Sequence, residues 1–190
     1  MPTVSLRTAL LHLALIVIFG VVLPERKGIG FLDPVMISAY ACMGVIFAAP
    51  AAAERFSNSR PQSLNEAFGR AGQAAGYGEG MALLLLAAGV VTVNLNKSGQ
   101  VWLPELDTLG SSAALGLTAT ITMALFTGWL TLRFSPVAAQ YGTRVLFVVL
   151  LLAFFYRSQR LPEVALAGSV ICLSVSALMA YLLNREVNPR

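Results

Sequence analysis

The side chains with a chemistry of their own are few in this 190-residue chain: one histidine, His12; two cysteines, Cys42 and Cys172; and a carboxylate, Glu79, within Gly76-Tyr77-Gly78-Glu79-Gly80. A neutral imidazole ligates haem iron or the metal of a pigment, so His12 is the candidate cofactor ligand where such a group is bound. With one histidine per chain, a second axial histidine has to come from another subunit. The alternative for His12 is a neutral ring bonded to a neighbouring helix or reaching for lipid headgroups. Glu79 reads either as a carboxylate at a helix start, favoured by the free N–H groups and the dipole there, or as a gate or partner contact. In the second case the flanking glycines let another backbone come close. Both cysteines fall in apolar stretches, where thiols behave as small apolar residues, and no disulfide framework or metal site is expected of them.

The signatures of common enzymes are missing from the sequence. There is no His-Glu-x-x-His, no Gly-x-Ser-x-Gly elbow, no Walker motif and no Gly-x-Gly-x-x-Gly. A single histidine removes most Ser–His and Cys–His arrangements within one chain. No apolar span holds a pair of carboxylates, the usual relay of proton-coupled transport. The chain therefore reads as a non-enzyme that needs no cofactor.

The elements that must position these residues are set by composition. Hydrophobic residues make up 57% and charged residues 12%, with mean hydropathy +0.74, whereas soluble domains carry roughly 25% charged residues. Six apolar runs stand out: 6–23, 34–53, 77–95, 108–132, 137–156 and 162–183. About 20 residues at ~1.5 Å each cross a ~30 Å hydrocarbon core, and backbone groups there are satisfied only within a helix or a closed barrel. The expected fold is all-α: a polytopic integral membrane protein, one domain over 1–190, with six transmembrane helices and short loops. Val21-Val22-Leu23-Pro24-Glu25 offers no small-residue cleavage site, so the first run is kept as a helix rather than a signal peptide.

Charge gives orientation. Arg7, Arg55, Arg60, Arg70, Arg133, Arg144, Arg185 and Arg190 fall on one side, against Arg26, Lys27, Lys97, Arg157 and Arg160 on the other. The richer side is cytoplasmic by the positive-inside rule, which places both termini in the cytoplasm. Eleven of thirteen basic residues are arginine, a usage that suits a GC-rich bacterium and its inner membrane. The net charge of +4 suits anionic lipid heads; without a basic patch or aromatic platform it implies no nucleic acid. Tyr77, Trp129, Tyr141 and Tyr181 are expected at the cytoplasmic interface, and Trp102 and Tyr156 at the opposite one.

Helices in lipid associate through small residues that let backbones approach. Three spans carry them at every fourth position: Gly44, Ala48 and Ala52; Ser112, Gly116, Thr120, Ala124 and Gly128; Gly168, Cys172, Ser176 and Ala180. Spans two, four and six are thus expected to form the tight centre. The fourth also carries Thr118, Thr122, Thr127 and Thr131, either lining a polar path or bonding across ordinary helix contacts.

The longest connection, 54–76, holds a capping box in Ser63-Leu64-Asn65-Glu66. Leu64, Ala67, Phe68 and Ala71 recur as one helical face, with Asn65, Glu66 and Arg70 opposite. A short amphipathic cytoplasmic helix is expected, weakened by Gly69, Gly72 and Gly76 at ~1 kcal/mol each. It lies in the headgroup region or docks on a cytoplasmic partner. Six spans, cytoplasmic termini and this helix together resemble the membrane subunits of ABC-2 type exporters, including compact haem-exporter subunits. The resemblance covers the whole chain as a layout and is carried by Ser63–Gln73. It implies a permease that dimerises and pairs with a separate ATPase, with Leu64 and Phe68 as docking knobs and Glu66 and Arg70 as polar contacts. The chain is shorter than that pattern, and only Met1–Ser5 precede the first span. The second function class is a non-catalytic subunit of a larger respiratory or photosynthetic complex, held by lipid and small-residue faces among other membrane subunits or further copies.

Overall fold

The structure is a computed structural model that describes residues 6–96, 101–157 and 161–188. The described residues are helical nearly throughout, with no strand among them. Six stretches are long and apolar enough to cross a membrane: Leu6–Leu32, Pro34–Asn58, Leu64–Leu95, Leu106–Arg133, Pro136–Ala153 and Ala165–Val187.

The first stretch is not one regular helix. It runs through α1 (Leu6–Val17), a π turn (Ile18–Val22), α2 (Leu23–Lys27) and a 3₁₀ turn (Gly28–Leu32). Pro24 explains the π turn. Lacking an N–H, it leaves carbonyls near residues 19 and 20 without their usual donor. Two neighbouring helices supply it: the Tyr40 hydroxyl donates to the Phe19 carbonyl at 2.9 Å, and the Thr92 hydroxyl to the Gly20 carbonyl at 3.2 Å.

The second stretch divides into α3 (Pro34–Cys42) and α4 (Gly44–Asn58), with a tight turn at Met43. Asp33 caps α3 by accepting from the Val35 amide at 2.9 Å, with Pro34 at the first helical position. Inside α4, Pro50 cannot donate to the Ile46 carbonyl. Arg144 does so instead, through Nε and Nη2, each at 3.1 Å. Arg144 therefore does not belong to the loop charges that set orientation. It lies within α7 (Pro136–Arg157), half-buried, with its guanidinium turned to the Ile46 carbonyl.

The expected short amphipathic helix does not stand apart. Residues Leu64–Leu95 form one continuous helix, α5, about 48 Å long at ~1.5 Å per residue. The glycines do not break it, because Ala67, Ala71, Ala74 and Ala75 are all buried in protein contacts with Ala51, Ala52, Phe56, Leu125 and Leu183. Tertiary packing outweighs the glycine cost, and Leu64, Ala67 and Ala71 of the apolar face meet protein while Phe68 stays exposed.

α6 (Leu106–Arg133) and α8 (Leu161–Val187) complete the bundle. The centre differs from expectation. α4 is the most buried element, and α5 and α6 pack against it. α8 packs chiefly on α6 and leaves Leu166, Val170, Ile171, Leu173 and Leu178 exposed. The third stretch, not the sixth, joins the second and fourth at the core. The reason is Gly78, whose missing side chain lets α5 rest on the Gly44 carbonyl and the Ala48 amide.

One end of the bundle is tied by arginines. Arg60 and Arg133 pair with Glu186 at 3.7 and 2.5 Å. Arg70 donates to the Arg55 carbonyl at 2.8 Å and to the Ser59 carbonyl, closing the end of α4.

Candidate functional site

Half-way along α5 and α6, and beside the start of α4, the buried Thr120 pairs with the half-buried Glu79 next to Gly44. Gly44 lies ten residues from Pro34 and nine from Ala53, and Thr120 lies twelve from each end of 108–132. Each is therefore about 14–18 Å from the ends of its apolar run at ~1.5 Å per residue. At this level the Thr120 hydroxyl donates to Glu79 Oε1 at 2.5 Å. Gly44 faces the same atoms: a methyl group built there would run into the Glu79 carboxyl and the Thr120 hydroxyl. A methyl group at Gly116 would meet the Ala41 carbonyl oxygen at 2.7 Å, so α3 and α6 touch backbone to side-chain-free backbone beside the turn at Met43.

Glu79 is thus not at a helix start. α5 begins at Leu64, fifteen residues earlier, which carries the carboxylate deep into the bundle. Its side chain is half-buried, and among the described residues no Lys, Arg or His forms an ion pair with it. The three ion pairs among the described residues all lie at the arginine end.

Further polar contacts line the same axis. Ser38 and Ser112 share a hydrogen bond at 2.7 Å, Thr127 donates to Thr143 at 2.9 Å, and Thr122 meets Ser176 at 2.8 Å and the Cys172 carbonyl at 2.9 Å. Thr118, Thr122, Thr127 and Thr131 also donate to carbonyls one turn back in α6. Ala48, Ser112, Gly116, Thr120 and Gly128 are buried, and Gly128 receives the Phe56 ring. Gly168, Cys172 and Ser176 are half-buried on the α8 face towards α6.

His12 is fully enclosed. Its Nδ1 is 2.9 Å from the Tyr77 hydroxyl, the Phe47 ring meets it edge-on at 4.8 Å, and Nε2 is buried without a partner. The enclosed ring presents no open face to a haem or pigment. Tyr77 accordingly sits inside the bundle rather than in an interfacial belt. Among the described residues no group of three or more His, Cys, Asp or Glu could hold a metal ion.

At the arginine end, Leu64 packs against the core while Phe68 is 39% exposed. Glu66 and Arg70 are not both free for a partner. Glu66 accepts from the Gln62 amide at 2.8 Å and from Arg70 at 2.5 Å, and Arg70 also serves the end of α4. The capping box is only half reciprocal: Ser63 accepts from the Glu66 amide at 3.2 Å, but Glu66 returns to Gln62, not to Ser63.

Two cavities of about 400 Å³ lie against these helices. One is polar and lies between Arg55, Asn58, Glu66, Arg70 and Gln73. The other is an apolar groove between α6, α7 and α8, floored by Cys42 and bordered by Leu115, Phe147, Ile171 and Cys172. Arg144 is the functional-site neighbour missed in the sequence; the signal that could have found it is Pro50, four residues after Ile46. Comparison of the chain with protein-family models, curated proteins and solved structures gives no match.

Proposed function

We propose that the chain is a multi-pass integral membrane protein of a bacterial inner membrane, with both termini cytoplasmic, and that it acts as a permease-type subunit of an ABC-2 type exporter beside a separate ATPase. The observation that carries the permease reading is the Glu79–Thr120 pair, half-way along α5 and α6 and beside the junction of α3 and α4. An ionisable group at mid-membrane depth is costly and marks a pathway or a relay more often than a packing device. A passive subunit of a respiratory or photosynthetic complex is served by the small-residue faces alone and gains nothing from Glu79. The turn at Met43, beside the pair, resembles the interrupted helices that form mid-membrane binding sites in transporters.

The ATPase partner is supported by the exposed side of the start of α5. Its exposed Phe68 offers an aromatic anchor of the kind that dominates protein contacts. The arginine-rich ends of the helices orient this region to the cytoplasm. The test is a pull-down of the native protein in mild detergent, with mass spectrometry and an absorption spectrum of the same sample. An ATPase and no visible band is the expected result. Several other membrane subunits, or a haem or chlorophyll band, would overturn the reading.

A further inference from the structure

We propose that Glu79 is an exchangeable proton-binding site inside the membrane, with the Thr120 hydroxyl as its fixed hydrogen-bond donor. This inference rests on the reading of the chain as a membrane-inserted permease.

Four observations carry it. First, Glu79, two residues into its own apolar run 77–95, is level with Gly44 and Thr120, which sit at the middle of theirs. Second, it lacks a counter-ion among the described residues. A carboxylate left unpaired at that depth costs several kcal/mol, and binding a proton removes most of that cost. Third, the state without the proton is also provided for. Thr120 donates to Oε1, and Gly44, without a side chain, leaves room for the same oxygen. Fourth, the side chain is half-buried rather than sealed, so a proton can reach and leave it.

The ligand class follows from what surrounds the carboxyl. α3 brings the Cys42 thiol, α8 Cys172 behind it, and α6 only the Thr120 hydroxyl. On α5 itself Tyr77 is occupied with His12 of α1. Arg144 of α7 spends Nε and Nη2 on the Ile46 carbonyl. No second carboxylate joins Glu79 among the described residues, and no metal-binding cluster exists among them. A lone carboxyl with one hydroxyl donor suits one proton, not a metal ion.

The test is direct labelling of the full-length protein in lipid nanodiscs with N,N′-dicyclohexylcarbodiimide, an apolar reagent that adds to protonated carboxyls. Labelling is read by peptide mass spectrometry between about pH 5 and about pH 9, above the ordinary carboxylate range. The expected result is modification of Glu79, fading as pH rises, while exposed Glu25, Glu66 and Glu105 stay unmodified. Thr120→Val should move the midpoint of the labelling profile to higher pH, because it removes a donor that favours the ionised form; a purely structural threonine would not move it. An unmodified Glu79 at every pH, or labelling that is the same at every pH, would overturn the proposal. Failure of the permease reading is seen separately, in the pull-down, and leaves the labelling result readable.

Discussion

Glycines 76, 78 and 80 flank and divide the short run that contains Glu79, and only the middle one is closed in. A methyl group at Gly78 would lie against the Gly44 carbonyl, 2.7 Å from the Ala48 Cβ and 3.0 Å from the Ala48 amide nitrogen, whereas at Gly76 and Gly80 it would meet nothing within 4 Å. Two of the three neighbours at Gly78 are backbone and cannot rotate away. To restore an ordinary contact of about 3.4 Å the two helices must part by roughly 0.7 Å at the Ala48 Cβ, and overpacking of this kind costs about 1–3 kcal/mol. Every Gly→Ala change in a helix interior also gains about 1 kcal/mol of propensity. That gain is common to all three positions and cancels when Gly78→Ala is compared with Gly76→Ala and Gly80→Ala. The expected gap is therefore about 1–3 kcal/mol, or roughly 2–12 °C in Tm at about 2–4 °C per kcal/mol for a chain of this size. The assay is thermal unfolding of the purified variants in one detergent, followed by circular dichroism. Gly78→Ala should melt lowest, with the other two at or above wild type. Equal melting of all three would refute the close approach of α4 and α5, and with it the setting described for Glu79.

Arg144→Leu should destabilise the protein by about 1–3 kcal/mol, because it leaves the Ile46 carbonyl without a donor. Adding Pro50→Ala, which restores the missing amide, should recover part of the loss in the same melting assay; no recovery would mean that Arg144 stabilises by another route. Phe68→Asp should abolish co-purification of an ATPase while leaving membrane insertion and Tm unchanged, since Phe68 is exposed. Retained co-purification would remove Phe68 from the partner surface.

Much of the architecture is legible in the chain because apolar length and end signals are local. The six runs, the Asp33-Pro34 start and the Ser63 cap all follow from residues within a few positions of each other. The small-residue stripe of α6 is equally visible. What escaped is long-range. Glu79 meets Thr120 across 41 residues, His12 meets Tyr77 across 65, and Arg144 meets Ile46 across 98. No periodicity reports such pairings. The glycines at 69, 72 and 76 suggested a weak separate helix, yet the alanines between them pack well enough to carry α5 through. That one continuation moved Glu79 from the edge of the bundle to its middle. The stripe on α8 misled in the opposite sense: spacing alone does not say whether a small-residue face meets the centre or only one neighbour.

The depth of Glu79 is the claim on which the functional account turns, and Gly80, exposed and uncrowded beside it, lets it be measured. A nitroxide attached through Gly80→Cys, in a background with Cys42→Ala and Cys172→Ala, would be placed in a lipid bilayer and its collisions with oxygen and with a water-soluble nickel complex compared. Oxygen-dominated relaxation is expected at position 80, as at the mid-bilayer, and nickel-dominated relaxation for a label at exposed Gly69. Nickel access at position 80 equal to that at position 69 would put Glu79 in water and contradict that claim.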